Sequence, residues 1–417
     1  MDGPAADAAL TEVVRHQRGR LVALLAARTR DIAAAEDAVG EAIAQALLTW
    51  PREGVPNNAA GWLLTVARNR WLDAARHAQV QVAFAADHLH RCEALVAELG
   101  TDTLGAFDFA DERLKLMFVC AHPAIDRAVH TPLMLQVVLG VPVERMAGIF
   151  LVGSGALGQR LSRAKSKIRD AGVAFDVPVQ SEIPARLPAV LDAIYGAYGL
   201  GWEAVQADAA SCASGLADEA LSLGRLLAEL LPEPEVLGLL ALMLFCESRR
   251  GARRNAAGDF VPLDEQDVAL WDQAMMQEAA ATLARASQAG QLGRYQLEAA
   301  VQSVHAQRTV SGQTDWSALA LLYQGLLSLA PTVGYQLGFI GVLARWQGPR
   351  VAMERLTAMP LVSVRDHQPY WALRAHLHQA LGERDEADRA YSLALGLARD
   401  AAVQRFLQAR WASVRAR

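Results

Sequence analysis

Between residues 154 and 169 the chain carries five basic residues and no acid, and their spacing decides what they can do. Leu157, Leu161, Ala164 and Ile168 step by four, three and four, so on a helix they form one stripe to be buried against Met146, Ala147 and Phe150. Arg160, Arg163 and Lys167 then share a second stripe with Ala156 and Gln159, with Lys165 and Arg169 flanking it. Guanidinium and ammonium groups in that array bond phosphates and base edges, the chemistry of a helix entering a major groove. The residues in front support this use. Positions 130–169 divide into three apolar-periodic pieces, 133–139, 143–150 and 154–169. They are separated by Gly140-Val141-Pro142 and Leu151-Val152-Gly153, which predicts a helix-turn-helix.

Catalytic chemistry has no comparable pattern. His305, His376 and His378 fall on helical stretches without a serine or cysteine partner at informative spacing, so they read as structural. Asp264, Glu265 and Asp267 beside Trp271 resemble an acidic knot for a metal, and Asp264 and Glu265 are equally good first-turn helix residues. Cys120 and His122 make half of a metal site, with no second pair at ligand spacing. Neither GxxxxGK[ST] nor GxGxxG occurs. The expectation is a protein that is not an enzyme and uses no cofactor and no metal.

Composition bounds the rest. At 417 residues, 53% hydrophobic and 20% charged, the chain is globular and large enough for two to four domains. A net charge of -5 confines any nucleic-acid contact to a local patch, and 154–169 is that patch. Cys92, Cys120, Cys212 and Cys246 are scattered without CxxC spacing and the start MDGPAADAAL has no charged-then-apolar pattern, so a reduced, cytoplasmic protein is expected. The most apolar stretch, 236–246, is about half of a membrane span and reads as a core helix.

Upstream, helical spacing runs over 11–50 with a break near 28–31, and a new helix from Ile32 sets Glu36, Asp37, Glu41 and Gln45 on its polar face. The stretch 51–61, PREGVPNNAAG, has prolines, glycines and the pair Asn57-Asn58, which predicts a loop. A third helix starts at Gly61-Trp62 and presents Arg68, Arg70 and Arg76.

These segments resemble a known family. The run 62–70, WLLTVARNR, ending in Leu72-Asp73, is similar to the helix that melts and reads the −10 element in RNA polymerase sigma factors. AAAED at 33–37 resembles the preceding helix that docks on the polymerase. With a helix-turn-helix about 60 residues downstream, the order resembles the extracytoplasmic-function (ECF) sigma factors. The blocks WPREGVPNNAAGWLLTVARNR, RLKLMFVCAHPA, QRLSRAKSKIRDAG, GLLALMLFCESRR, EQDVALWD and GRYQLEAAVQSVHA are similar to those of the subgroup with a long carboxy-terminal extension. The resemblance implies an all-α fold: a sigma region 2 helical domain at 8–80, a linker at 81–107, a region 4 helix-turn-helix domain at 108–172 and a tetratricopeptide-like (TPR-like) solenoid at 186–417. It implies core RNA polymerase and promoter DNA as partners, no membrane and no cofactor. Polymerase would be bound through Asp37, Glu41 and Gln45, and the −10 element through Asn57, Asn58, Trp62, Arg68 and Arg70. The −35 element would be read by Ser154, Ala156, Gln159, Arg160, Arg163 and Lys167. The chain departs from the family at Gly40, usually Gln, at Ala74-Ala75, usually basic, and at 153–157, usually Pro-Glu-Ala-Thr-Met. Gly158 costs the third helix of the motif about 1 kcal/mol relative to Ala.

After a proline-marked boundary near 170–184, everything from 186 on has helical spacing, expected at 187–204, 213–231, 234–249, 266–289, 293–308 and in six further helices to 414. Arg249, Arg250, Arg253 and Arg254 open an irregular stretch and read as a solvated turn. Trp371, Gly382, Ala387, Tyr391, Ala394 and Leu395 fall on tetratricopeptide positions, Gly348 precedes Gly382 by one 34-residue period, and Tyr323 and Pro331 keep the offset of an earlier unit. Such an array offers a concave face to a protein or peptide ligand. The alternative is a TPR-like interaction scaffold whose sigma-like front half is degenerate. Promoter recognition alone could stop near Asp176, so the extension is expected either to mask the front half or to complete it.

Overall fold

The computed structural model describes residues 3–81, 109–204 and 215–415. The expected linker, apart from Gln81, lies outside them, as do Cys92 and Cys212. Among the described residues the fold is all-α, with one isolated bridge, Arg254 to Phe260, and no strand. Among the described residues no helix is long and apolar enough to cross a membrane. The chain forms two compact units, 1–226 and 227–417.

The first unit begins with α1 (Gly3–Thr29), α2 (Ile32–Glu53) and α3 (Ala59–Gln81), packed on one another. The break between α1 and α2 is set by Asp31, whose carboxylate accepts from Ala34 N at 3.1 Å and caps α2. Helix α2 continues through Pro51 to Glu53, and α3 starts at Ala59. The loop is therefore shorter than the expected 51–61: a proline in the last turn gives up only a terminal hydrogen bond and does not end the helix before it.

The next helices are α4 (Phe109–Cys120), α5 (Arg127–Val137), α6 (Val143–Ile149) and α7 (Ser154–Asp170). Asp126 caps α5, Gly140 turns the chain at φ +67, and Leu151 closes the α6–α7 turn at φ 52. Leu157, Leu161, Ala164 and Ile168 of α7 are buried, as is Met146 of α6, so the expected stripe is the one that packs. The first unit also takes in α8 (Ile183–Ala204), which packs on α4 and α5, and most of α9 (Leu216–Leu230). The extension expected from 186 thus starts inside a packed unit.

In the second unit α10 (Pro234–Glu247) is buried at every position from Val236 to Phe245, the signature of a helix with partners on all sides. It packs on α11 (Gln273–Ser287) and α12 (Arg294–Ala306). The expected helix 266–289 begins only at Gln273, because Asp272 caps it, accepting from Met275 N at 2.9 Å. Two short 3-10 turns, Leu263–Glu265 and Val268–Leu270, fill the space before it. After the four-residue α13 (Arg308–Ser311) come α14 (Trp316–Leu329), α15 (Val333–Trp346), α16 (Pro349–Thr357), α17 (Leu361–Val364), α18 (Gln368–Leu381), α19 (Arg384–Leu397) and α20 (Ala401–Arg415). Each packs chiefly on helices near it in sequence, as in a solenoid. Gly348 and Gly382 both take positive φ at helix junctions, α15 to α16 and α18 to α19. Tyr391, Ala387 and Ala394 of α19 share a core with Ala375 and Leu407, and Trp371 packs against it.

Candidate nucleic-acid interface

Helix α7 presents its basic stripe to water. Ser154, Ala156, Gln159, Arg160, Arg163 and Lys167 are all exposed, while the apolar stripe opposite them is buried. No acid interrupts the stripe, so its field is positive along its length. Arg163 Nε reaches only its own helix, donating to Gln159 O at 3.3 Å.

The flank of α7 has another use. Lys165 Nζ lies 2.5 Å from Glu36 Oε2 on α2, both side chains only 11–12% exposed, and Arg18 of α1 approaches the other oxygen of Glu36 at 3.4 Å. Arg169 lies 3.6 Å from Asp31 at the start of α2. Gly19 of α1 lies so close to Val138 that a Cβ there would come within 1.9 Å of its carbonyl oxygen. The helix-turn-helix therefore packs on the first helices through ion pairs and one glycine contact. None of these was legible in the sequence: Lys165 and Glu36 are 129 residues apart, and each alone reads as an ordinary surface charge. Nearby, burial pushes the Cys120 thiol well above its ordinary value, so it stays protonated and inert. His122 accepts from Ala124 N at 3.1 Å and serves a turn, and no metal-holding group of three ligands occurs among the described residues.

Helices α2 and α3 carry the other expected residues. Asp37 and Glu41 are exposed and Gln45 half-buried on α2. Arg70 of α3 approaches two of them, at 3.8 Å from Glu41 and 3.3 Å from Gln45. Both charges are well exposed, so this pair is worth under about 1 kcal/mol and yields readily to a stronger partner. Trp62 is half-buried and meets Trp50 edge-on at 5.6 Å, which fixes its ring. Arg68 is half-buried with only its neighbour Asn69 in hydrogen-bond reach. Gly40 and Gly158 face open space, and a side chain at either would meet no atom within 4 Å.

Asn57 and Asn58 differ, contrary to their expected equivalence. Both are exposed, but Asn58 Oδ1 accepts from Gly61 N at 2.9 Å and caps α3. Asn58→Ala is therefore expected to lower the unfolding free energy in a urea titration by about 1 kcal/mol, with Asn57→Ala unchanged. Equal stability of the two variants would remove the cap from the account. For base contacts, Asn57 is the cleaner probe.

Comparison with known proteins agrees with the front of this arrangement. Residues 13–80 match sigma-70 region 2, and residues 186–287 match a family of unknown function (DUF6596). An uncharacterized protein of Rhizobium meliloti (strain 1021) is 35% identical over 381 residues, covering 91% of this chain and 89% of its own. No solved structure matches.

Proposed function

We propose a function from one premise: this chain belongs to the same family as the Rhizobium meliloti protein and carries a sigma-70 region 2 domain at 13–80. Region 2 of that class binds core RNA polymerase and promoter DNA. The reading is an ECF-type sigma factor that directs promoter-specific transcription initiation, with region 2 at about 8–80, a −35-reading helix-turn-helix at about 108–172 and a TPR-like regulatory extension from 186. In this reading Asp37, Glu41 and Gln45 meet polymerase. Asn57, Trp62, Arg68 and Arg70 meet the −10 element, and the exposed stripe of α7 reads the −35 element.

The observation that supports it most is the acid-free basic stripe of α7, left open to water while the apolar stripe and Lys165 are engaged. A helix so arranged, behind a sigma region 2, has the surface that groove entry requires. If the two elements are read at once on separate stretches of the duplex, any departure of α7 from α2 breaks the Lys165–Glu36 pair.

Co-elution with core polymerase tests the reading. Asp37→Arg with Glu41→Arg, at two exposed positions, is expected to abolish co-elution while leaving the helical content intact. Undiminished co-elution of the folded double variant would take Asp37 and Glu41 out of the polymerase contact, and a parent chain that does not co-elute at all would favour a polymerase-independent role such as a scaffold.

A further inference from the structure

Arg249 and Arg308 stand out in the second unit because, among the described residues, neither has a carboxylate at ion-pair distance, although Asp264 acts on Arg308 from farther away. Arg249, on the turn after α10, is 8% exposed. Its guanidinium donates to Phe245 O at 3.3 Å and to Gln302 Oε1 at 2.5 Å, and lies 3.9 Å from Cys246 Sγ, all neutral partners. Arg308, at the start of α13, is half-buried and donates to Gln266 O at 2.9 Å. The two guanidinium carbons lie 5.7 and 5.1 Å from the centroid of the same ring, Trp271. Among the described residues neither has a carboxylate partner. The nearby carboxylates are taken: Asp264 pairs with Arg345, Glu265 with Arg410, and Glu298 with Arg294 and Tyr335. These pairs engage two of the three acids that resembled a metal knot, and Arg249, with Arg250 on Glu247 and Arg254 on Asp400, replaces the expected solvated turn.

Burying a cation without a counter-charge is costly, and an aromatic face offsets only about 0.5–2 kcal/mol of it. Two further buried polar atoms belong to the residues that these arginines touch. Trp271, 3% exposed, has an indole N–H with no hydrogen-bond partner, and Gln266, 7% exposed, has a side-chain oxygen with none. Burial, then Arg249 and Arg308, push His305 down to about 4, so at neutral pH it is an uncharged imidazole that adds no positive charge. The unmatched groups are thus two guanidiniums and a buried N–H donor, with one acceptor for a hydroxyl.

We infer that Arg249, Arg308 and the Trp271 N–H form a binding site for a small oxyanion, a phosphate or a carboxylate, in the second unit. The site requires nothing of the sigma-factor reading, and it gives the extension a small-molecule ligand in addition to any protein ligand of a solenoid face. A guanidinium pair suits both oxyanions, since each presents two oxygens to a planar fork.

Calorimetric titration of the full chain with inorganic phosphate and with acetate, at constant ionic strength set by chloride, tests this. Saturable binding of at least one is expected, and whichever binds tighter names the source chemistry. Arg308→Gln and, separately, Arg249→Gln should each weaken binding at least tenfold, while Arg365→Gln, at an exposed pair with Asp366, should not. A thermal scan guards against misfolding: phosphate or acetate should raise the melting temperature of the parent and of Arg365→Gln, and not that of folded Arg308→Gln. Heats no larger than those of chloride, or unchanged affinity in both arginine variants, would overturn the site.

Discussion

Replacing Glu219 with alanine is expected to lower the unfolding free energy of the first unit by about 3 kcal/mol, the low end of the cost of breaking a buried ion pair. Arg113 of α4 is 1% exposed and forms an ion pair with Glu219 of α9, which keeps 22% of its side-chain surface in water. Removing the acid takes a counter-charge from an interior guanidinium, whereas removing both, as in Arg113→Met with Glu219→Leu, should recover most of the loss. A urea titration of the parent and the two variants checks this. A single variant as stable as the parent would mean that Arg113 is held without Glu219.

The same pair bears on where the chain can be cut. Stopping near Asp176 looked sufficient for promoter recognition, yet such a fragment loses Glu219 together with α8. That helix buries Val190, Leu191, Ile194 and Tyr198, packs on α4 and α5, and contributes Arg186, which donates to Phe118 O at 3.4 Å. A cut near 180 therefore destabilises the helix-turn-helix itself, and its effect on transcription would say nothing of regulation. The cut that leaves the first unit's packing whole and tests whether the second unit regulates falls just after α9, past Leu230.

The second large effect lies on α7. Arg163→Ala is expected to weaken promoter binding by about 1–3 kcal/mol, roughly 5- to 150-fold, if the guanidinium reads a base edge. If it meets only phosphate, the loss is the same on every sequence and the slope of log K against log salt falls by about one. Arg163 is exposed and makes only a contact within its own helix, so stability should not change. Binding isotherms at several salt concentrations, for promoter and for unrelated DNA, separate the two. Unchanged isotherms throughout would take α7 out of the interface.

What could be read from the sequence was what short-range periodicity determines. The three pieces of the helix-turn-helix, the buried stripe of α7, the break at Asp31 and the wholly buried α10 all follow from residues within a few turns of one another. Boundaries slipped where one cap or one proline decided them, as at Asp272 and Pro51. What stayed hidden was tertiary electrostatics. Lys165 and Arg249 have the composition of surface charges, and only the packing of distant helices makes one a docking pair and the other a buried cation. Asn58 is a related case: its side chain could serve a base or a helix cap, and the geometry of the α2–α3 loop gives its oxygen to the cap.

The most direct test of the account is run-off transcription with purified core polymerase on a template carrying the region upstream of this protein's own gene. With the full-length chain present, transcripts from one discrete start are expected, absent with core polymerase alone and strongly reduced with Arg163→Ala. A folded chain that co-elutes with polymerase and yet yields no discrete start on promoter-bearing DNA would contradict the sigma-factor reading.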